Sequence, residues 1–316
     1  MASWKKIRRT LRRPLETGVV FVLKATIPFL PRNAVIGISR MGAWLGMLLP
    51  SRERKVGLKN IEAVFGNTKT VVEKRRILQD SFATMGQTML DIFWFSRNPE
   101  KRILNHVVFQ EGPLRDSFFE DKPVVCITAH MGNWEIMGQT CALMGADMAS
   151  IAAPLKNKAV DRMFIKQRER TGQTIIQQKG ALKTLISRFR KNGKAAFVLD
   201  QNTDENEGGT AVGFLGLPMP VSPAPAALAY RTGTEIMLGF CLPEPGGRYC
   251  IRITQSIVPP PFDKELDANQ VARELTQEIQ DGISKEIRKH PQYWLWSYKH
   301  WRRNAGKDYP AHYPEY

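Results

Sequence analysis

The sequence predicts an α/β fold: a mostly parallel central sheet covered by helices, preceded by an N-terminal helical membrane-docking region. Three observations carry that expectation. Short β-branched runs alternate with helix-length segments between residues 124 and 200, the pattern of strands joined by covering helices. One of those runs ends on a histidine followed by a Gly-Asn breaker and a helical segment. The first 60 residues concentrate positive charge beside two apolar runs.

Residues 1–60 hold 13 Lys and Arg against 2 Glu, so they carry +11 of the chain's net +16. The opening stretch from Lys5 to Arg13 is a polybasic arm, suited to nucleic acid or to anionic lipid. The next two segments favour lipid. Gly18 to Pro31 is an apolar run broken by Lys24 and Pro28, and Ala34 to Pro50 is another, broken by Arg40. Neither reaches the roughly 20 apolar residues of a spanning helix, and no small-residue cleavage pattern follows the first run. A basic arm with two short apolar helices fits a monotopic protein on an anionic leaflet; the alternative is that residues 18–50 form one hairpin or one tilted span that anchors the chain. A nucleic-acid partner is not expected, because aromatic and basic residues do not interleave across a folded face. The expected division is a membrane-associating region over 1–50 and an α/β domain over 51–316.

From Ser51 to Pro99 the chain reads helical, with Gly66 as a stop signal. Val71 to Phe95 is long and amphipathic, offering Ile77, Phe82, Met85, Leu90 and Phe93 to a sheet. Val124 to Ala129 reads as a buried strand. Strands follow at Met148–Ala153, Thr174–Gln177 and Ala195–Asp200, with helices at Ala159–Arg170 and Ala181–Lys191. Gly208 to Gly233 reads as a loop, a proline-rich turn and a small-residue helix. Glu235–Leu242 and Tyr249–Ile257 read as strands, and Val271, Leu275, Ile279, Ile283 and Ile287 recur every four residues as a core-facing helical stripe.

At 316 residues with 43% hydrophobic and 24% charged residues, the composition is that of a folded globular protein. The four cysteines, Cys126, Cys141, Cys241 and Cys250, sit in apolar segments without metal spacing and read as reduced core residues. No metal or other cofactor is expected.

The stretch Pro123 to Gly138 carries the chemistry. On one continuous helix His130 and Glu135 would lie about 140° apart, so they approach only if His130 sits in a strand-to-helix turn and Glu135 in the first helical turn. Gly132 and Asn133 supply that turn. An imidazole at the carboxyl end of a strand lies where open α/β sheets bind ligands, and a neighbouring carboxylate would fix its tautomer for general base catalysis. A capping or hydrogen-bonded histidine is the plainer alternative.

The full string His-Met-Gly-Asn-Trp-Glu, residues 130–135, resembles the His-x4-Asp/Glu motif of the glycerolipid acyltransferase superfamily. Its Gly-Asn-Trp-Glu form is similar to the bacterial late acyltransferases of lipid A biosynthesis, the lauroyl/myristoyl transferases. Further blocks follow in the same order: Arg54 to Gly66, Pro154 to Asn157, Arg168 to Gly172, Ala195 to Asn202, Gly213 to Ala229, and the Trp-rich basic segment Pro291 to Arg303. The last places aromatics beside cations, which suits a membrane interface, although Trp294 fits a core position equally well. Met131 stands where an aromatic is common, and the Asp204 to Glu207 loop is unusually acidic; both departures bear on the acceptor.

What the resemblance implies is O-acyl transfer from an acyl carrier protein thioester to a hydroxyl of a lipid A precursor at the cytoplasmic face of the bacterial inner membrane. His130 would deprotonate the hydroxyl, Glu135 would orient the imidazole, and Arg170 would hold phosphate or neutralise the oxyanion. Asp200, Lys156, Arg168 and Asn133 are the expected substrate-binding residues. The alternatives are transfer to another membrane lipid, such as a lysophospholipid or glycolipid, and a non-catalytic membrane-surface binding protein of the same fold.

Overall fold

A computed structural model describes residues 4–178, 180–302 and 309–316, with side chains from Pro14 onward except Leu15. The polybasic side chains Lys5, Lys6, Arg8, Arg9, Arg12 and Arg13, and Arg303 in the closing segment, lie outside the described residues.

Four helices open the chain: α1 (Trp4–Thr26), α2 (Arg32–Leu48), α3 (Arg52–Phe65) and α4 (Val71–Trp94). Their ends follow side-chain chemistry. Ser51 accepts from the Arg54 N–H at 3.1 Å to start α3, and Thr70 with Glu73 forms a reciprocal capping box on α4. The basic arm and the first apolar run as far as Thr26 form one continuous helix, α1. A 3₁₀ turn at Ile27–Phe29 then leads into α2, which lies along α4. Among the described residues no single helix is long and apolar enough to cross a membrane; only the bent pair Arg32–Leu48 and Arg52–Thr68 has the combined length and composition.

The alternating region follows in order: α5 (Pro99–His106), β1 (Val107–Phe109), α6 (Pro113–Phe119), β2 (Val124–Thr128), α7 (Trp134–Leu143), β3 (Met148–Ala152), α8 (Lys158–Glu169), β4 (Thr174–Gln177), α9 (Ala181–Phe189) and β5 (Lys194–Val198). The hairpin β6 (Thr210–Phe214) and β7 (Leu217–Val221), helix α10 (Ala224–Thr232), strands β8 (Glu235–Glu244) and β9 (Arg248–Ile257), and helix α11 (Ala268–Lys289) complete it. Two elements depart from the sequence expectation. β1 is only three residues long, too short for a periodic signal. The stretch expected as a loop is the β6–β7 hairpin, turned at Leu215 (φ 53°) and Gly216 (φ 89°). Pro218 and Pro220 disguise it, and are tolerated because each strand of a two-stranded sheet is an edge.

The main sheet has seven strands in the order β1-β9-β8-β2-β5-β3-β4. β8, β2, β5, β3 and β4 run parallel, while β9 is antiparallel to β8 and carries β1 in parallel. Alternation along β2 defines two cores. Val125 and Ile127 face a core built from Leu78, Leu185, Ile279, Ile283 and the buried Trp294, Trp296 and Trp301. Val124 and Cys126 face another, with Phe93, Phe95, Ile136, Met137 and, from the N-terminal segment, Ile27 and Val35. The helical stripe from Leu275 to Ile287 is buried as expected. The tryptophans of the tail are core residues: all three are 0% exposed. Large apolar residues instead stand exposed on α1, the 3₁₀ turn and α2, among them Phe21, Val22, Phe29, Met41 and Trp44.

Candidate active site

β2 lies beside β5 with Thr128 opposite Val198, so His130 and Asp200 each stand two residues beyond paired strand ends. The chain then turns sharply into α7. Gly132 has φ 60°, and a Cβ there would come 2.1 Å from the Cys241 carbonyl oxygen, so only glycine fits this approach. The Gly132 N–H donates to Tyr293 O at 2.9 Å, the Asn133 N–H to Cys241 O at 2.8 Å and the Leu295 N–H to His130 O at 3.1 Å. Asn133 Oδ1 accepts from the Ile136 N–H at 3.1 Å, capping α7. Strand β8 and the segment after α11 therefore hold the histidine turn from both sides.

His130 Nδ1 lies 2.7 Å from Asp200 Oδ1, and its backbone N–H donates to Asp200 Oδ2 at 2.9 Å. Trp294 Nε1 donates to that same Oδ2 at 2.7 Å. Asp200 is completely buried, whereas the His130 side chain is 23% exposed. With Nδ1–H committed to the carboxylate, Nε2 makes no hydrogen bond to any described residue and is the lone pair left to act as a base. Burial works against the imidazolium, but the charge and hydrogen bond of Asp200, with the charge of Glu135, outweigh it and raise the His130 pKa. For Asp200, burial is likewise outweighed, by His130 first, and its pKa falls to about 2. Trp134 meets the imidazole edge-on, ring centroids 5.0 Å apart.

Glu135 is not the partner of the imidazole. Its carboxylate is held by the Arg168 guanidinium, Nε to Oε2 at 2.9 Å and Nη2 to Oε1 at 2.7 Å, a two-pronged geometry that outcompetes a single imidazole contact. Glu135 therefore acts on His130 through charge. Burial disfavours the Arg168 cation, but Glu135 and then Asp161 outweigh it and raise its pKa. Nη1 of Arg168 makes no hydrogen bond to a described residue.

The other expected positions separate. Asp200 has no surface open to substrate and serves His130 instead, because its oxygens are taken up by His130 and Trp294. Asn133 is fully buried; besides capping α7 it donates to Asp91 Oδ2 at 3.0 Å. Arg170 ends α8 with an exposed side chain whose Nη1 donates to Ser96 O at 2.7 Å. Lys156 is exposed in the bend before α8. Neither Lys156 nor Arg170 bonds to the His130 turn.

Asp91, buried in α4, gathers donors from Arg32 through both Nη1 and Nη2 (the latter at 3.1 Å), from Asn133, and from the Tyr249 hydroxyl at 2.5 Å. Burial pushes its carboxyl upward, against Arg32 and the other donors. Four donors and no acceptor converge on it, the environment of a carboxylate and not of an acid with its own proton to place. Arg32 also lies over the Trp94 ring at 4.7 Å and donates to Gly247 O at 2.9 Å.

Sequence reasoning missed Trp294 as a partner of Asp200, and it missed His300. His300 is buried, stacks on Trp294 at 4.2 Å, and places its ring nitrogens 2.9 Å from Asp200 O and Leu295 O. Burial lowers its pKa. Arg32, Asp91 and Tyr249 were missed as well; they are spread over 218 residues of sequence and share no motif. Cys126 is buried and its thiol pushed up by that burial, the opposite of an activated nucleophile. Among the described residues no group of three or more His, Cys, Asp or Glu side chains is arranged to hold a metal.

Residues 4–303 match a family described as bacterial lipid A biosynthesis acyltransferase. A phosphatidylinositol mannoside acyltransferase of Mycobacterium tuberculosis is 25% identical over 169 residues, 52% of this chain and 50% of that protein; the chain thus spans about half the length of that relative. A lipid A biosynthesis acyltransferase of Haemophilus influenzae is 22% identical over 282 residues, 88% of this chain and 84% of that one. Among solved structures, the 1-acyl-sn-glycerophosphate (LPA) acyltransferase PlsC of Thermotoga maritima matches at 15% identity and a TM-score of 0.37, over 75% of this chain and 98% of that chain, a likeness too distant to argue from.

Proposed function

The chain belongs to the bacterial lipid A biosynthesis acyltransferase family, and from that membership we propose that it transfers a fatty acyl chain from an acyl carrier protein thioester to a hydroxyl of a lipid A precursor. The observation that carries this reading is the His130–Asp200 pair: a partly exposed imidazole whose Nδ1–H is fixed by a fully buried carboxylate, with Nε2 turned free.

In the reaction, Nε2 takes the proton of the acceptor hydroxyl as its oxygen attacks the thioester carbonyl. Asp200 stabilises the imidazolium that forms. The tetrahedral intermediate collapses by breaking the carbon–sulfur bond, and the departing thiolate takes the proton back from Nε2. Ester and thiol are the products, with no acyl group passing through the enzyme. Arg168 is better placed than Arg170 for the cationic role: Glu135 anchors it beside the imidazole and leaves Nη1 to meet a phosphate or the developing oxyanion. Lys156 remains a candidate for phosphate from its exposed bend.

We place the protein at the cytoplasmic face of the bacterial inner membrane, docked through its N-terminal region. The exposed Phe21, Phe29 and Trp44 support this, as does the charge of the N-terminal 60 residues. The test is incubation of the purified protein with acyl carrier protein thioester and a lipid A precursor, with mass spectrometry of the lipid. One added acyl group, absent with His130→Ala, is the expected result. The Mycobacterium match favours one second reading, transfer to a glycolipid or phospholipid; acylation of such a lipid in the same assay, with none of the lipid A precursor, would establish it. Acylation of neither would leave a membrane-surface binding protein.

A further inference from the structure

Helix α8 has a face that the reaction does not use. Lys158, Arg162, Lys166 and Arg170 recur every fourth residue and all four are exposed. Successive members rise about 6 Å along the helix and the row winds about 120° around it. None of Lys158, Arg162 and Lys166 has an ion-pair partner among the described residues. Among the described residues Arg170 makes one hydrogen bond, to the Ser96 carbonyl. Two carboxylates belong to this helix: Glu169, exposed near the row, and Asp161, which accepts from the Leu155 N–H at 2.9 Å.

The neighbours of this face decide what it meets. At one end of α8, Asn157 Nδ2 donates to Thr17 Oγ1 of α1 at 3.0 Å. At the other end, Arg170 reaches Ser96, and the adjacent Arg97 lies over the Phe29 ring at 4.8 Å. α8 therefore runs alongside α1 and its following turn, where Phe21, Val22 and Phe29 are 66%, 61% and 66% exposed. A row of cations beside a row of bare aromatics and aliphatics matches a bilayer, which offers phosphates at one depth and hydrocarbon at the next. An acidic soluble protein would satisfy the cations and leave Phe21, Val22 and Phe29 in water.

We infer that the exposed row Lys158, Arg162, Lys166 and Arg170 is a contact strip for the headgroups of an anionic bilayer, continuous with the apolar face of α1. The inference rests on the membrane-surface reading above and extends it from the N-terminal segment into the catalytic fold. The same helix turns Arg168 inward to Glu135, so the headgroup layer lies about one helix diameter, 10–12 Å, from the ion pair beside His130. A hydroxyl carried just beneath a lipid phosphate is then within reach without the lipid leaving the membrane.

The test is binding of the full chain to phosphatidylcholine vesicles with and without phosphatidylglycerol. At about 1 kcal/mol per Lys or Arg, the triple variant Lys158→Gln, Arg162→Gln, Lys166→Gln should lose affinity for the anionic vesicles by on the order of 100-fold. It should bind neutral vesicles like the parent. The comparison variant is Lys183→Gln, Arg190→Gln, Lys191→Gln on α9 and the turn after it; α9 packs in the opposite core through Leu185 and Phe189, whereas α8 packs through Met163 and Phe164. It removes the same charge and should change binding little. Equal losses in the two triples would mean net charge alone, and no loss in the α8 triple would remove the strip; either overturns the inference while the N-terminal docking stands. A parent chain that binds neither vesicle brings down the membrane reading itself. Slower turnover of the α8 triple with acyl carrier protein in detergent, at unchanged vesicle affinity, would assign the row to the donor protein and overturn the bilayer assignment.

Discussion

His130 Nδ1 sits 2.7 Å from Asp200 Oδ1 because both residues stand two positions past the ends of adjacent parallel strands held in register. Seventy residues apart in sequence, they form the pair that Glu135, only five residues away, was expected to complete. His130→Ala should lower kcat by about 10²–10⁴ with folding retained, the usual range for losing a general base. Asp200→Asn should also cost kcat heavily. The double variant should be little worse than the more damaged single, since the two residues act as one unit. Strictly multiplicative losses in folded protein would separate them.

The pair also sets pH dependence. Asp200 and Glu135 raise the His130 pKa above its ordinary value near 6.5 against the effect of burial, and the base must be neutral, so kcat/KM should rise with pH through that raised value. Asp200→Asn removes the principal support of the imidazolium; its remaining activity should begin to rise at lower pH. A pH–rate profile with an unmoved acid limb would contradict the assignment. For stability the signs divide. The raised His130 contributes fully below its ordinary pKa and loses that contribution as pH rises through the folded value. Asp200, held to about 2, contributes fully above the ordinary carboxylate range and fades as pH falls toward 2.

Glu135 and Arg168 form the second unit. Glu135→Gln and Arg168→Met should each reduce kcat/KM, and the double variant should match the worse single. Glu135→Gln should leave Nδ1 still bound to Asp200. An imidazole NMR signal showing loss of that low-field N–H in Glu135→Gln would reverse the partner assignment.

Arg32→Met leaves Asp91 as a buried carboxylate with its cation gone, a loss of about 3–5 kcal/mol of stability when one partner of a buried pair is removed. Urea unfolding of the purified variant measures it. Asp91→Asn should be comparably damaging, and because Asp91 also holds Asn133, it should lower kcat in protein that remains folded.

Gly132→Ala should cost about 2 kcal/mol or more, since φ 60° is strained for alanine and its Cβ would meet the Cys241 carbonyl at 2.1 Å. Thermal unfolding checks this, with an added loss of turnover because the His130 turn must shift.

The sheet was legible because each strand wrote its own hydrophobic run: Thr174–Gln177 matches the observed β4, and the ends of β2, β3 and β8 fall within two residues of expectation. The histidine turn was legible because Gly132 and Asn133 announce a break. The partner of the histidine was not, since strand order is a tertiary fact: β5 lies beside β2 only after the β3 and β4 crossovers are placed on its far side. Proximity in sequence pointed to Glu135, and a two-pronged arginine from α8 took it. The tryptophans of the tail left two readings open, interface or core, for a similar reason. Beside Lys299, Arg302 and Arg303 they resemble a membrane belt, yet Trp294 ends as an indole donor to a buried carboxylate.

Asp91 accepts from Arg32 on both carboxylate oxygens and from Asn133 on Oδ2, so the start of α2 and the start of α7 are pinned to a single buried group. A shortened protein beginning at residue 51, the obvious way to make a detergent-free preparation, would lose far more than the proposed docking segment. It would carry an orphaned anion under the His130 turn and bare the apolar faces that Ile27 and Val35 now cover. Solubilising this protein by surface substitution at Phe21, Met41 or Trp44, with residues 27–35 kept intact, respects the architecture that such a deletion would destroy.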